Sequence, residues 1–149
     1  MESIMRYLIM ALVMAVGFAA PLAAQDINFG NNDGEWASDG ECDDRRFYGA
    51  GMAATVTWEY VGQDAADCQT LYEAGVIKLW DLATSVAATQ CQAIDFGDDS
   101  GDYPQDGECD DRRFEGLAVA HILLPDYVRK DASDCSRLCA FGVIGLREY

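Results

Sequence analysis

The sequence holds one histidine, His121, ten basic residues against 26 acidic ones, and no long apolar run beyond residue 24. Each scarcity closes off a class of function. No segment after residue 24 approaches the roughly 20 apolar residues that a membrane-spanning helix needs. A formal net charge of −16 repels phosphate backbones and anionic lipid surfaces. Nucleic acid and anionic membrane surfaces are therefore poor partners, while cations and basic proteins are favoured. No two cysteines have the Cys-x-x-Cys spacing of a thiolate zinc site.

The one apolar run lies at the start. Residues 1–24 carry Arg6 near the beginning, an apolar stretch from Tyr7 to Ala20, and small residues at Ala23 and Ala24. That is the pattern of a secretory signal peptide cleaved after Ala24. The expected location is periplasmic or secreted, with no membrane span left after cleavage. Glu2 and Arg6 cancel inside this segment, so the remainder keeps the whole charge of −16.

That remainder is written twice. The nine residues Asp39-Gly40-Glu41-Cys42-Asp43-Asp44-Arg45-Arg46-Phe47 recur letter for letter as 106–114, an offset of 109 − 42 = 67. Carried outward without a gap, the offset aligns residues 27–79 with 94–146 and gives 26 identities in 53 pairs. The expected organisation is a first repeat at 25–80, a linker with a helical pattern at 81–93, and a second repeat at 94–149. A function carried by the repeat must rest on side chains that both copies keep. His121 falls opposite Ala54, so no histidine-dependent centre is duplicated.

An even count of six cysteines in an exported chain reads as a disulfide framework. The simplest pairing is Cys42–Cys68 and Cys109–Cys135, one bridge per repeat, leaving Cys91 and Cys139 for a third. Bridges swapped between repeats satisfy the same symmetry. Each within-repeat bridge closes a loop of 26 residues, a constraint of about 3 kcal/mol on the unfolded chain.

Both copies share one plan. Ile27 and Phe29, matched by Ile94 and Phe96, open a Gly-rich acidic loop that ends in the nonapeptide. Residues 49–61 and 116–128 read as extended, although Pro125 opposite Trp58 argues against one strand running through both. Asp64 and Asp131 stand where N-caps are expected, and Gly75 and Gly142 where the helices close. Val76–Leu79 and Val143–Leu146 read as short buried strands. The fold class is α+β: two small disulfide-stapled units, each an acidic Gly-rich loop with a short helix and short strands.

Residues 27–46 hold six acids and residues 94–113 hold eight, more than half of the 26. Closely spaced carboxylates with glycines that turn carbonyls inward suit a hard cation, which takes six to eight oxygen ligands. The expected metal ligands are Asp33, Glu35, Asp39, Glu41, Asp43 and Asp44 in the first copy. In the second copy they are Asp98, Asp99, Asp102, Asp106, Glu108, Asp110 and Asp111. Calcium is the expected ion. Asn31 and Asn32 opposite Asp98 and Asp99 make the first site the weaker one. The spacing is not that of an EF-hand, since Tyr103 and Cys109 fall where Gly and Glu belong.

Residues 98–114 with 131–138 resemble a cysteine-bearing repeat of bacterial exported proteins, written with Asn-Asp-Gly-Glu-Cys-Asp-Asp-Pro-Arg-Phe at its centre. Arg45 and Arg112 replace its proline, and Ser38 and Gln105 its asparagine. The resemblance implies an exported module and no activity.

Two functional readings follow. One is a non-enzymatic module whose loops bind calcium or a similar divalent cation for stability and recognition. The other is an ion-free loop neutralised by Arg45, Arg46, Arg112 and Arg113, whose acidic face engages a basic protein or cell-envelope component. Paired carboxylates are compatible with glycoside hydrolysis, but bridged cysteines supply no nucleophile, and no catalytic residue is assigned.

Overall fold

The computed structural model describes residues 26–149; the expected signal peptide, 1–24, lies outside them. Within them the chain is α+β. Its elements are β1 (Cys42–Asp44), β2 (Phe47–Gly49), β3 (Met52–Thr57), α1 (Ala65–Glu73), β4 (Ile77–Leu79), α2 (Leu82–Ala88), β5 (Phe114–Gly116), β6 (Ile122–Leu123), α3 (Ala132–Ala140) and β7 (Ile144–Leu146). Among the described residues no helix is long and apolar enough to cross a membrane.

Two small antiparallel pairs share one register. β2 sets Phe47 against Leu79 on β4, and β5 sets Phe114 against Leu146 on β7. Both phenylalanines are fully buried. The longer β3 lies parallel to β1 and antiparallel to β6, pairing Val56 with Leu123 and Thr57 with Ile122. It is the strand that joins the halves. Within 116–128 strand pairing is confined to Gly116 at the end of β5, an isolated bridge from Val119 to Cys109, and the two residues of β6. Both stretches end in a 3₁₀ turn, at Trp58–Tyr60 and Pro125–Tyr127. Trp58 N–H still reaches the His121 carbonyl, a bond that Pro125 has no N–H to make.

The disulfides are Cys42–Cys68, Cys109–Cys135 and Cys91–Cys139, with Cα separations of 4.7, 4.7 and 5.9 Å. The third bridge binds the connecting segment to α3. That segment contains α2, capped by Asp81 Oδ1 accepting from Thr84 N–H, and it packs on β7. Ser85 Oγ donates to the Leu146 carbonyl at 2.6 Å, and Leu146 N–H donates to Thr89 Oγ1 at 2.9 Å. A Cβ at Gly145 would stand 2.2 Å from Ser85 Oγ, so only glycine admits the helix this closely.

The core is uneven. Cys42, Phe47, Cys68 and Ile77 form a small cluster in the first half. The larger cluster surrounds Cys109, Phe114, Leu123, Cys135 and Ile144, and it takes Ala53 and Val56 from the first half. Burial of β3 on the second half therefore binds the two units through apolar contact.

Candidate cation site

The acidic loop is first a wrapper for a helix N-terminus. Asn31 N–H donates to the Gly62 carbonyl, and Ala65 N–H donates to the Asn31 carbonyl. Asp98 N–H and Ala132 N–H repeat both bonds on the Arg129 and Asp98 carbonyls. Gly30 and Gly97 lie at positive φ, where a Cβ would fall 1.9 and 2.0 Å from the Gly62 and Arg129 carbonyl oxygens.

From this wrapping, Asn32 Oδ1 accepts from Ala66 N–H and Asp99 Oδ1 from Ser133 N–H, each at 2.8 Å. These side chains cap α1 and α3. Asp64 and Asp131 hold the N-cap positions but make no side-chain cap bond. The expected division of labour is thus reversed.

The other early acids stay in the loop. Asp33 accepts from Asn31 Nδ2, Asp98 from Ser100 N–H, and Asp102 from the Tyr127 hydroxyl, while Glu35 is exposed. Hydrogen bonds from Ser100 and Ser133 hold the Asp98 and Asp99 carboxyls below the usual range. Asn31 and Asn32 consequently do not decide which copy is the stronger anion cluster.

Asp44 and Asp111 are closed by arginine. Asp44 accepts from the backbone N–H and guanidinium of Arg46 and, at 2.7 Å, from Gly62 N–H. Asp111 accepts in the same way from Arg113 and, at 2.8 Å, from Arg129 N–H. Each is about 1% exposed. Their lone pairs are used, so this pair fits the arginine-neutralised reading.

Asp43 and Asp110, one residue earlier, behave differently. Asp43 N–H donates to Asp64 Oδ2 at 3.0 Å, and Asp110 N–H to Asp131 Oδ2 at 2.9 Å. Asp43 Oδ2, Asp64 Oδ1, Asp110 Oδ2 and Asp131 Oδ1 are buried with no hydrogen-bond donor. Their residues are 5, 1, 7 and 2% exposed.

Around the first pair, Asp39 turns to accept from Glu41 N–H, and Asp67 Oδ2 accepts from Gly40 N–H. Asp106, Glu108, Asp134 and Gly107 repeat the arrangement. Burial, reinforced by the negative charges of Asp39 and Asp64, pushes the Asp43 carboxyl up to about 7. Burial with Asp106 and Asp131 lifts Asp110 to about 6. Asp131 also rises to about 6 through burial, against the pull of the Asp110 amide. Asp64 is raised for the same first reason.

Sulfur borders the same spot. Cys42, Asp64 and Cys68 bring ligand atoms within 4.8 Å of one another, as do Cys109, Asp131 and Cys135. Both cysteine pairs are bonded as disulfides, so they offer no thiolate. Among the described residues no three carboxylates converge that closely.

Asp64, Asp67, Asp131 and Asp134 are the residues missing from the ligand set read off the sequence. Their signal was present, since all four are kept at the 67-residue offset beside the bridged cysteine. The helix-capping explanation absorbed it. Comparison with protein-family models, curated proteins and solved structures finds no match to this chain.

Proposed function

We propose that the protein is an exported, non-enzymatic module in which each acidic loop holds a hard divalent cation, calcium being the expected ion. The observation that carries this reading is the set of four buried carboxylate oxygens without donors, two in each copy. Buried polar atoms are otherwise hydrogen-bonded, and two adjacent buried carboxylates are costly without a neutralising charge. A cation between Asp43 and Asp64, or between Asp110 and Asp131, supplies that charge. Exposed Asp39, Glu41, Asp106 and Glu108, with water, complete the shell. Affinity in the range of about 10⁻⁴–10⁻³ M suits such an open site and an extracellular module. Three disulfides support a periplasmic or secreted location.

The first copy is the stronger site on this reading. Arg137 Nη2 pairs with Asp134 Oδ1 at 2.6 Å and neutralises part of the second cluster. Among the described residues Asp67 enters no ion pair, and Thr70 stands opposite Arg137.

Thermal unfolding of residues 25–149 in EDTA, then in millimolar calcium with magnesium as control, tests the proposal. Binding to the native state alone raises the melting temperature, by about 0.4–1.4 kcal/mol of stability per site at a one- to tenfold excess over Kd. Asp43→Asn with Asp110→Asn abolishes that rise. Absence of any calcium effect, with salt-sensitive capture of a basic protein instead, overturns the cation reading in favour of the acidic face as the working surface.

A further inference from the structure

The 67-residue offset also relates the contacts between the halves. Arg45 Nη1 donates to the carbonyls of Ala120 and His121, each at 2.9 Å. Its counterpart Arg112 reaches back to the carbonyls of Ala53 and Ala54, the residues 67 positions earlier. Arg45 has a further partner. Its Nε and Nη2 grip the Glu115 carboxylate at 3.0 and 2.9 Å. The residue opposite Glu115 is Tyr48, which has no carboxylate. Among the described residues Arg112 enters no ion pair.

Where a carboxylate would complete the pattern there is a cavity of about 470 Å³, lined by Tyr48, Met52, Arg112, Arg113, Leu146 and Arg147. The corresponding pocket beside Arg45 is lined by Glu115, Val119, Arg46, Leu79 and Trp80. We propose that the cavity binds a small organic carboxylate, whose oxygens take on Arg112 the place that Glu115 holds on Arg45.

The planar guanidinium fork matches a carboxylate at two points. Arg113 and Arg147 keep their own carboxylates, Asp111 and Glu115, and add positive potential to the wall. Glu148 is the one acid lining the cavity. Tyr48, Met52 and Leu146 give the remaining wall an apolar character, so the ligand carries a short apolar chain or ring. The protein's distant negative charges are screened beyond roughly 8 Å at physiological salt, and the nearby guanidiniums set the local field. This site is independent of the cation clusters.

The test is an NMR titration of the oxidised protein with hexanoate, and with hexanamide as the neutral control. Hexanoate is expected to bind saturably, at least about tenfold more tightly than hexanamide, the lower range for a charge-assisted pair. It should shift the Arg112 Nε–H signal. Arg112→Gln should remove the preference. Tyr48→Glu, which supplies the carboxylate from the chain itself, should abolish hexanoate binding and raise the melting temperature. Equal affinity for hexanoate and hexanamide, no saturable binding at about 10 mM, or hexanoate binding undiminished in Tyr48→Glu, each overturns the proposal.

Discussion

The two nonapeptides are identical in sequence, and the structure uses them alike at short range and differently at long range. Inside each copy the same bonds recur. The second aspartate closes on the second arginine, and the amide of the first donates to the helix-start aspartate at 3.0 and 2.9 Å. Across the halves the copies part. Arg45 is completely buried, stacked 4.4 Å over the Trp58 ring and gripping Glu115, while Arg112 lies half-buried with carbonyl partners. Local geometry follows from the repeated residues. Long-range partnership follows from positions where the copies differ, Tyr48 against Glu115 and Trp80 against Arg147.

Removing Glu115 breaks this asymmetry most severely. Its carboxylate holds two buried guanidiniums from opposite halves, Arg45 and, at 2.6 Å, Arg147. Burial already pushes Arg147 down to about 10. Glu115→Ala leaves both buried guanidiniums without a counter-charge, an expected loss of about 3–5 kcal/mol in urea unfolding. Arg112→Gln removes bonds to carbonyls near solvent and should cost about 1 kcal/mol. Equal losses for the two would mean that the halves are held by apolar contact and that the buried ion network is incidental.

The disulfides come next. Cys42–Cys68 and Cys109–Cys135 close loops of equal length, 26 residues, so the unfolded-chain contribution is the same, about 3 kcal/mol each. Double replacement by alanine should therefore separate the copies only through packing. Cys109 and Cys135 sit in the larger cluster, and their loss should lower the melting temperature further than loss of Cys42 and Cys68.

Much of this architecture was legible because the chain states it twice. The offset matched four cysteines across the copies and made one bridge per repeat the simplest pairing, placed α1 and α3 between aspartate and glycine, and located β4 and β7. What escaped was anything that depends on contact between halves. No periodicity announces that β3 pairs with β6, or that Glu115 meets Arg45 across 70 residues. The site was half legible for a different reason. Composition marks where acids crowd, but not which carboxylates meet donors. Asp43 and Asp44 are neighbours in one strand, yet side chains alternate across it, so Asp44 faces Arg46 and Asp43 faces the helix start.

That alternation makes a matched pair of substitutions informative. Asp44→Asn weakens the Arg46 pair and should destabilise the protein by about 1–3 kcal/mol. Asp43→Asn removes a buried charge that has no donor, and in calcium-free buffer it should be neutral or stabilising. The same contrast has a pH signature. Asp43 at about 7, and Asp110 and Asp131 at about 6, lie above their ordinary 3.8. The folded state then keeps protons that the unfolded chain releases, so stability in EDTA is fully present below about pH 4 and falls as pH rises toward 7. Urea midpoints between pH 4 and 8 should show that decline, and Asp43→Asn with Asp110→Asn should flatten it. A rise of stability across this window would place these carboxyls in an environment that favours their charge.

The smallest expected effect distinguishes the two proposed cation sites. Arg137 is half-exposed, and its pair with Asp134 crosses one helical turn, an arrangement worth only about 0.2–1 kcal/mol. Removing it restores to the second cluster the charge that the first already has through Asp67. Arg137→Thr, which copies Thr70, should tighten calcium at the second site by about 1.4- to fivefold, that energy expressed as affinity. The reciprocal Thr70→Arg should weaken the first site by a similar factor. Calcium titrations of the two variants, each with the other site disabled by Asp43→Asn or Asp110→Asn, measure this directly. Unchanged affinities would mean that the charges of Asp67 and Asp134 do not act on the ion and that these residues serve only to anchor Gly40 and Gly107.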